Sequence, residues 1–264
     1  VRDSVFQRGS LKWWLNELIN RFTGASPFVE SIFRRAGVFI QSHGRPLGSL
    51  KVKTIAWIPD FQHIHLPHYF SKHELRTRDK SFRSLIRNSD LILVSSDSAL
   101  ADLRKFSPEH VSKARTLRFA ANLILSSDRL PDDISSNYQI STPYFYIPNQ
   151  LWAHKNHLVA IRALAEIAKL HPKIVIACSG SLVDYRNPAH ISELRTKIHS
   201  YELNDRFLLF GQIPYAHIAP LMVYSTAVIN PSFFEGWSTT VEEAKSLGVP
   251  LILSDLNVHR EQCP

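Results

Sequence analysis

The sequence predicts an α/β protein with parallel sheets, arranged in two domains. Short apolar runs such as Leu91–Ser95 (LILVS) and Tyr144–Pro148 (YFYIP) recur along it. Segments with apolar residues at helical spacing separate these runs, and strands that alternate with helices imply a parallel sheet covered on both faces. A length of 264 residues is ample for a buried core and long for one domain.

Composition narrows the class. Hydrophobic residues at 44% and charged residues at 20% describe a folded globular protein, not a disordered chain. A net charge of +8 with an isoelectric point near 9.6 suits a negatively charged partner. A nucleotide, a nucleic acid and an anionic membrane surface all qualify, and charge does not choose among them. Cys178 and Cys263 are the only cysteines. They make no disulfide framework and fit a reducing, cytoplasmic setting. No apolar run approaches the ~20 residues that span a bilayer.

Leu11, Trp14, Leu15, Leu18, Ile19 and Phe22 fall at helical spacing, so the first element is an amphipathic helix. Packing on a sheet is its expected use, and a membrane-surface helix is the alternative. Gly37–Ile40 and Thr54–Ile58 read as strands, and the polar stretch Asp60–His68 follows the second directly. Loops after such strands are where α/β proteins keep their chemistry. Leu75–Arg87 is a basic helix, Leu91–Ser95 a strand, Asp97–Phe106 a helix capped by Asp97 or Ser98, and Thr116–Ala120 a weaker strand. Pro, Asp, Ser and Asn then break the periodicity, which makes residues 126–143 the linker between domains at 1–125 and 144–264.

After the linker the alternation is clearer. Tyr144–Pro148 is a strand, and Leu158, Ile161, Leu164, Ala165 and Ala168 form a helical face with Asn156 as its cap. Strands at 174–178, 207–210, 227–229 and 251–253 alternate with helices at 191–201 and 218–224 and a third opening near Ser238. Thr239 with Glu242 and Thr240 with Glu243 both fit the spacing of a capping box, with Glu242 assigned to the cap. Glu235 stands before that turn and caps nothing, while Gly236 allows close backbone approach to a ligand. A helix start gathers N–H donors and positive dipole, which suits phosphate.

Four stretches carry a resemblance to a known family: IAWIPDFQHIHLPHYFS, YFYIPNQLWAHKNH, FLLFGQIPYAHIAPLMVYSTAVINPSFFEGWS and TTVEEAKSLGVPLILSD. From about Thr54 onward the chain resembles a retaining, nucleotide-sugar-dependent glycosyltransferase of family 4, group 1 type. The pair Glu235 and Glu243, within a Pro-Ser, Glu-Gly and Gly-x-Pro frame, is the most specific part. The resemblance implies two Rossmann-like domains facing across a cleft (GT-B type), the amino-terminal one incomplete. An incomplete domain leads us to expect weak activity or none from the isolated chain.

The resemblance also implies site residues. Glu235, with amides near Gly236, Trp237, Ser238 and Thr239, would hold donor sugar hydroxyls, and Glu243 the ribose. Carboxylates suit these roles because they accept paired hydrogen bonds from vicinal hydroxyls. Lys155 would neutralise the diphosphate leaving group, and Gln150 and Gly180 complete the donor set. Many relatives carry arginine at the position of Gln150, which donates hydrogen bonds but no charge. Leaving-group stabilisation then falls to Lys155, His154 or an unmatched arginine. In the acceptor-side loop His63 is the candidate sugar contact, with Asp60 beside it.

The reading at this point is a cytoplasmic transferase, peripheral at the inner membrane face, that moves sugar from a nucleotide diphosphate sugar to a glycan or lipid-linked acceptor in cell-surface polysaccharide synthesis. It needs no cofactor or metal, and nucleic acid is not a partner. Two alternatives stand beside it. One is a non-catalytic relative that binds nucleotide or glycan. The other is a metal-dependent hydrolase using His63, His65 and His68, imidazoles that can converge on zinc from adjacent loop positions.

Overall fold

The computed structural model describes residues 7, 9–23, 25–33, 38–41, 52–123, 132–140 and 143–264. The chain divides into two compact units, Val1–Arg118 and Phe119–Pro264.

The first unit opens with α1 (Leu11–Thr23) and α2 (Pro27–Phe33). Four parallel strands follow, β1 (Val38–Gln41), β2 (Lys53–Ile58), β3 (Leu91–Val94) and β4 (Ala114–Thr116), laid side by side in chain order. Helices α3 (Gln62–His65), α4 (Lys72–Asn88) and α5 (Asp97–Phe106) connect them. Alternation along a strand puts Ala56 and Ile58 of β2, and Ile92 and Val94 of β3, on one face. There they meet Phe82, Leu85 and Ile86 of α4, which share a helical face, and Ala99, Leu103 and Phe106 of α5. Ser71 and Glu74 form a reciprocal capping box at the start of α4.

Three expectations for this unit change. Ser96, not Asp97 or Ser98, caps α5, because its hydroxyl reaches the Ala99 amide at 3.0 Å. The last strand is Ala114–Thr116, earlier than the expected Thr116–Ala120, because Ala114 pairs with Ile92 and continues the buried row. The apolar stripe of α1 does not pack on a sheet: Leu11 is 76% and Phe22 79% exposed, whereas Asn16 is 3% exposed. The polar side turns inward because Ser26 collects the Asn16 and Asn20 amides.

The second unit contains α6 (Asp132–Tyr138), β5 (Tyr144–Pro148), α7 (His157–Ile167), β6 (Val175–Ser179), α8 (His190–Ser200), β7 (Phe207–Leu209), α9 (Ile218–Val223), β8 (Ala227–Asn230), α10 (Thr239–Ser246), β9 (Leu251–Leu253) and α11 (Asn257–Gln262). Its five strands are parallel in the order β7-β6-β5-β8-β9. Both faces are covered. Tyr144 and Tyr146 point to one side with Leu221, Met222 and Ala244, and Ile147 to the other with Ile161, Leu164 and Leu194. Part of the segment read as a linker belongs to this core. Residues 132–138 are helical, and Ile134 and Ile140 are buried beside Tyr144 and Tyr146. The surrounding Ser, Asp and Asn hid those apolar positions; residues 126–131, 141 and 142 lie outside the described ones.

Chain order reverses once in this sheet. From β5 the strands run outward through β6 to β7, and from β8 outward to β9, so β5 and β8 are neighbours with opposite progressions. Such a switch point leaves a crevice at the carboxyl ends of the two strands, where ligands of open α/β sheets bind.

Candidate functional site

The loops after β5 and β8 meet at that crevice. Lys155 follows β5 and Glu235 follows β8, and the Lys155 ammonium donates to Glu235 Oε1 at 2.6 Å. The Ser232 hydroxyl lies 2.6 Å from the same oxygen and 2.7 Å from Asn230 Oδ1. Only 9% of the Glu235 side chain and 16% of Lys155 is exposed. Burial alone would raise the Glu235 pKa, but the Lys155 charge and the hydrogen bonds from Lys155 and Ser232 hold it below the ordinary range. The carboxylate is therefore ionised and pre-oriented, as a hydroxyl acceptor must be.

Backbone contacts tie the two loops together. Phe233 N–H donates to the His154 carbonyl at 2.8 Å, and Asn156 Nδ2 to the Pro231 carbonyl at 3.1 Å. Asn156, expected to cap α7, sits at that position in a left-handed conformation (φ 58°) without a side-chain cap bond. Its amide joins the loops instead. The His154 ring is buried, and its pKa is pushed down to about 4 by burial and then by Lys155. His157 is wholly enclosed with neither ring nitrogen hydrogen-bonded, and burial together with nearby His190 pushes it down to about 3. Both imidazoles are neutral at physiological pH, so Lys155 carries the positive charge of the HKNH stretch.

Beyond Glu235 the chain turns into α10. The expected capping box is not formed. Ser238 is the cap, accepting the Val241 amide at 3.4 Å, and Glu242 is buried against Gln262 Nε2 at 2.9 Å. Gln262 on α11 brackets Ser238 as well, accepting its N–H and donating to its carbonyl, each at 3.1 Å. Two amides of the helix start are thus engaged inside the protein, one in the Ser238 bracket and one in the cap. Thr239 is exposed at the first turn, and Trp237 Nε1 donates to the Phe119 carbonyl at 2.8 Å. Glu243 is half-buried with its pKa raised by desolvation. A pair of hydroxyls donating to it would stabilise its charged form.

Gly180 follows β6 at φ +144°, and a Cβ there would lie 2.3 Å from the Asn149 carbonyl oxygen. Only glycine lets the loop after β6 close over the end of β5. Gln150 uses its side-chain oxygen to accept the Ser181 amide at 2.7 Å. Neither amide atom of Asn149, enclosed beside it, is hydrogen-bonded.

The first unit arranges its candidate loop differently. Asp60 accepts the Gln62 amide at 2.9 Å, a local turn, with Arg78 at 3.8 Å. The His63 side chain is 1% exposed and its Nε2 lies 3.0 Å from Asp79 Oδ1. Phe61, Phe70, Phe82 and Phe106 surround the ring, and burial followed by the Arg78 charge lowers its pKa. This position offers a sugar no imidazole surface. His65 bonds a different carboxylate, Asp102, at 2.8 Å. The histidines of the hydrolase alternative therefore do not converge, and among the described residues no cluster of His, Cys, Asp or Glu is placed to hold a metal ion.

Spacing along the chain revealed neither Asp79 and Asp102 nor Gln262. Each is one of several polar residues on its helix, and its partner lies 16, 37 or 24 positions away.

Comparison with known proteins is consistent with this geometry. Residues 133–263 match the family described as Glycosyl transferases group 1. Comparison with curated proteins found no match. Among solved structures, the sucrose-phosphate synthase of Thermosynechococcus elongatus superposes with a TM-score of 0.67 at 18% identity, covering 87% of this chain and 60% of that one. HepE from Anabaena, in complex with UDP and glucose, gives 0.69 at 17%, covering 92% and 66%. A glycosyltransferase from Rickettsia africae gives 0.66 at 14%, covering 87% and 61%. The chain thus spans less than two thirds of the length of these structures. At such identities the likeness speaks for the fold alone: parallel α/β units of the GT-B glycosyltransferase type. The whole segment that matches the group 1 glycosyl transferases lies within the second unit.

Proposed function

We propose that this chain transfers a sugar from a nucleotide diphosphate sugar to a glycan or lipid-linked acceptor with retention of configuration. The observation that carries the reading is the Lys155–Glu235 pair astride the switch point of the second sheet. A diphosphate placed at the crevice competes for the Lys155 ammonium. Its arrival frees Glu235 to accept donor sugar hydroxyls, so one exchange of partners seats both halves of the donor. As the bond from the anomeric carbon to the diphosphate oxygen breaks, charge gathers on the leaving group, where a fixed cation stabilises the transition state more than the ground state. The acceptor oxygen bonds to the anomeric carbon on the same face, and its proton passes to the departing phosphate. No protein base is required, which fits a first unit whose His63 is enclosed.

The working location is the cytoplasmic face of a membrane, where a net charge of +8 favours both the donor and anionic lipids. Among the described residues no helix is long and apolar enough to cross a bilayer. Cell-surface polysaccharide is the expected product class. A binding-only reading draws on Gln150, whose uncharged amide is engaged with Ser181.

A calorimetric panel of nucleotide sugars against wild type, Lys155→Ala and Glu243→Ala tests the proposal. Binding of at least one donor, weakened in both variants, is the expected result. No binding at all, or equal binding by all three proteins, refutes the donor site. Donor binding without either hydrolysis or transfer of the sugar favours the binding-only reading.

A further inference from the structure

We infer that Arg186, carried by the loop after β6, supplies the second positive charge for the donor diphosphate, the charge that Gln150 does not provide. The inference rests on the donor-site reading above and assigns a residue to it.

Four contacts fasten the loop of residues 181–186 to that of residues 150–155. Leu151 N–H donates to the Ser181 carbonyl at 3.0 Å, and Ser181 N–H to Gln150 Oε1 at 2.7 Å. Trp152 Nε1 donates to the Val183 carbonyl at 3.1 Å, and Ala153 N–H to Asp184 Oδ2 at 2.9 Å. Buried Asp184 also uses its other oxygen to accept the Arg186 amide at 3.0 Å, which fixes the direction in which residue 186 leaves the loop. The guanidinium carbon then lies 5.1 Å from the Tyr185 ring, itself edge-on to Trp152 at 6.2 Å, and Nε is buried. A long side chain held along its length by a ring and a turn keeps its fork in one place, at lower entropic cost on binding.

The location follows from the shared neighbour. His154, whose ring lies 5.6 Å from that of Trp152, has as charged neighbours Lys155 on its own loop, Glu235 on the loop after β8, and Asp184 and Arg186 on the fastened loop, and both cations disfavour its protonation. Arg186, through the Tyr185 and Trp152 rings, and Lys155, next in sequence, therefore approach His154 from two loops. Gln150 is central to this arrangement. Its side-chain oxygen accepts the Ser181 amide, and arginine has no acceptor with which to do so. The residue that gives up a charge at position 150 is the one that draws in the loop bearing Arg186. A guanidinium fork suits two phosphate oxygens, and Lys155 adds a point charge.

The test compares nucleoside diphosphates with the corresponding monophosphates (UDP, GDP and ADP against UMP, GMP and AMP) by calorimetry. For whichever base wild type prefers, Arg186→Ala is expected to weaken the diphosphate roughly 10- to 100-fold, with the monophosphate within about twofold, as for loss of one charge-assisted contact. Arg186→Lys should retain part of the preference, and donor turnover should fall in kcat more than it rises in KM. An unchanged diphosphate-to-monophosphate ratio in Arg186→Ala overturns the inference, and so does an equal loss for both ligands, which indicates a collapsed loop. If Lys155→Ala loses diphosphate while Arg186→Ala does not, the inference falls and the donor site stands. If wild type binds no nucleoside diphosphate, both fall.

Discussion

Both units place a polar loop with more than one histidine after a parallel strand, at Asp60–His68 after β2 and Trp152–His157 after β5. In the first, His63 turns into the core among four phenylalanines and pairs with Asp79. In the second, Lys155 turns toward a second loop and pairs with Glu235. The sheets differ in a way that accounts for this. Among the described residues the first runs in chain order and has no reversal, so the loop after β2 lies over its own helices. The second reverses between β5 and β8, and two loops at a reversal diverge enough to leave space for a ligand. A polar loop at a strand end becomes a site when a crevice exists for it to line, and otherwise its histidine is available for packing.

Lys155→Ala should have the largest effect. In the second unit it leaves the Glu235 carboxylate enclosed without its cation, and loss of one partner of a buried pair costs about 3–5 kcal/mol. Hydrogen exchange of the β5 and β8 amides reads the effect in that unit alone. Lys155→Met with Glu235→Gln should recover most of the loss by removing both charges. A cost below about 1 kcal/mol for the single change would show the pair to be solvated and the crevice open to bulk water.

Acid provides an intermediate effect. His154 and His157 have folded-state values of about 4 and about 3, below the ordinary 6.5 of an unfolded chain. The folded state binds fewer protons, so their contribution is complete above pH 6.5 and is lost as pH falls toward those values. Between pH 6.5 and 5 the loss is about 2 kcal/mol per imidazole. His157→Leu should flatten the fall in urea midpoint over that window by one such step. An unchanged pH slope would mean that His157 is protonated or bonded to water in the fold.

The smallest effect belongs to the first unit. His63→Leu exchanges a core imidazole for a core aliphatic, and Asp79, half-exposed, remains solvated. Stability should stay within about 1.5 kcal/mol of wild type, with donor binding unchanged. Loss of sugar transfer by a stably folded His63→Leu would restore the acceptor-side role and make the two loops equivalent.

Much of the second unit was legible in sequence. Its strands are continuous apolar runs because both faces are covered, and Glu235 and Glu243 stand out because no helix start needs both. The first helix forms where its apolar spacing places it, but the stripe of Leu11, Trp14, Leu18 and Phe22 shows amphipathicity and not which face turns inward, a choice made by Ser26 with Asn16 and Asn20. The cap of α10 likewise depends on a distant partner. Thr239 and Glu242 have the right spacing, but Gln262, from a helix 20 residues later, takes Glu242 and leaves Ser238 to cap.

By itself, then, the sequence determined the α/β alternation, the frame of Glu235 and Glu243 and the presence of Lys155 at a strand end, all of which depend on local pattern. Only the tertiary structure decided that β5 and β8 are neighbours at a reversal, that His63 belongs to a core, and that Gln150 fastens the loop carrying Arg186. Each of these depends on contacts between residues far apart in the chain, and a periodicity or a motif carries no record of what stands opposite.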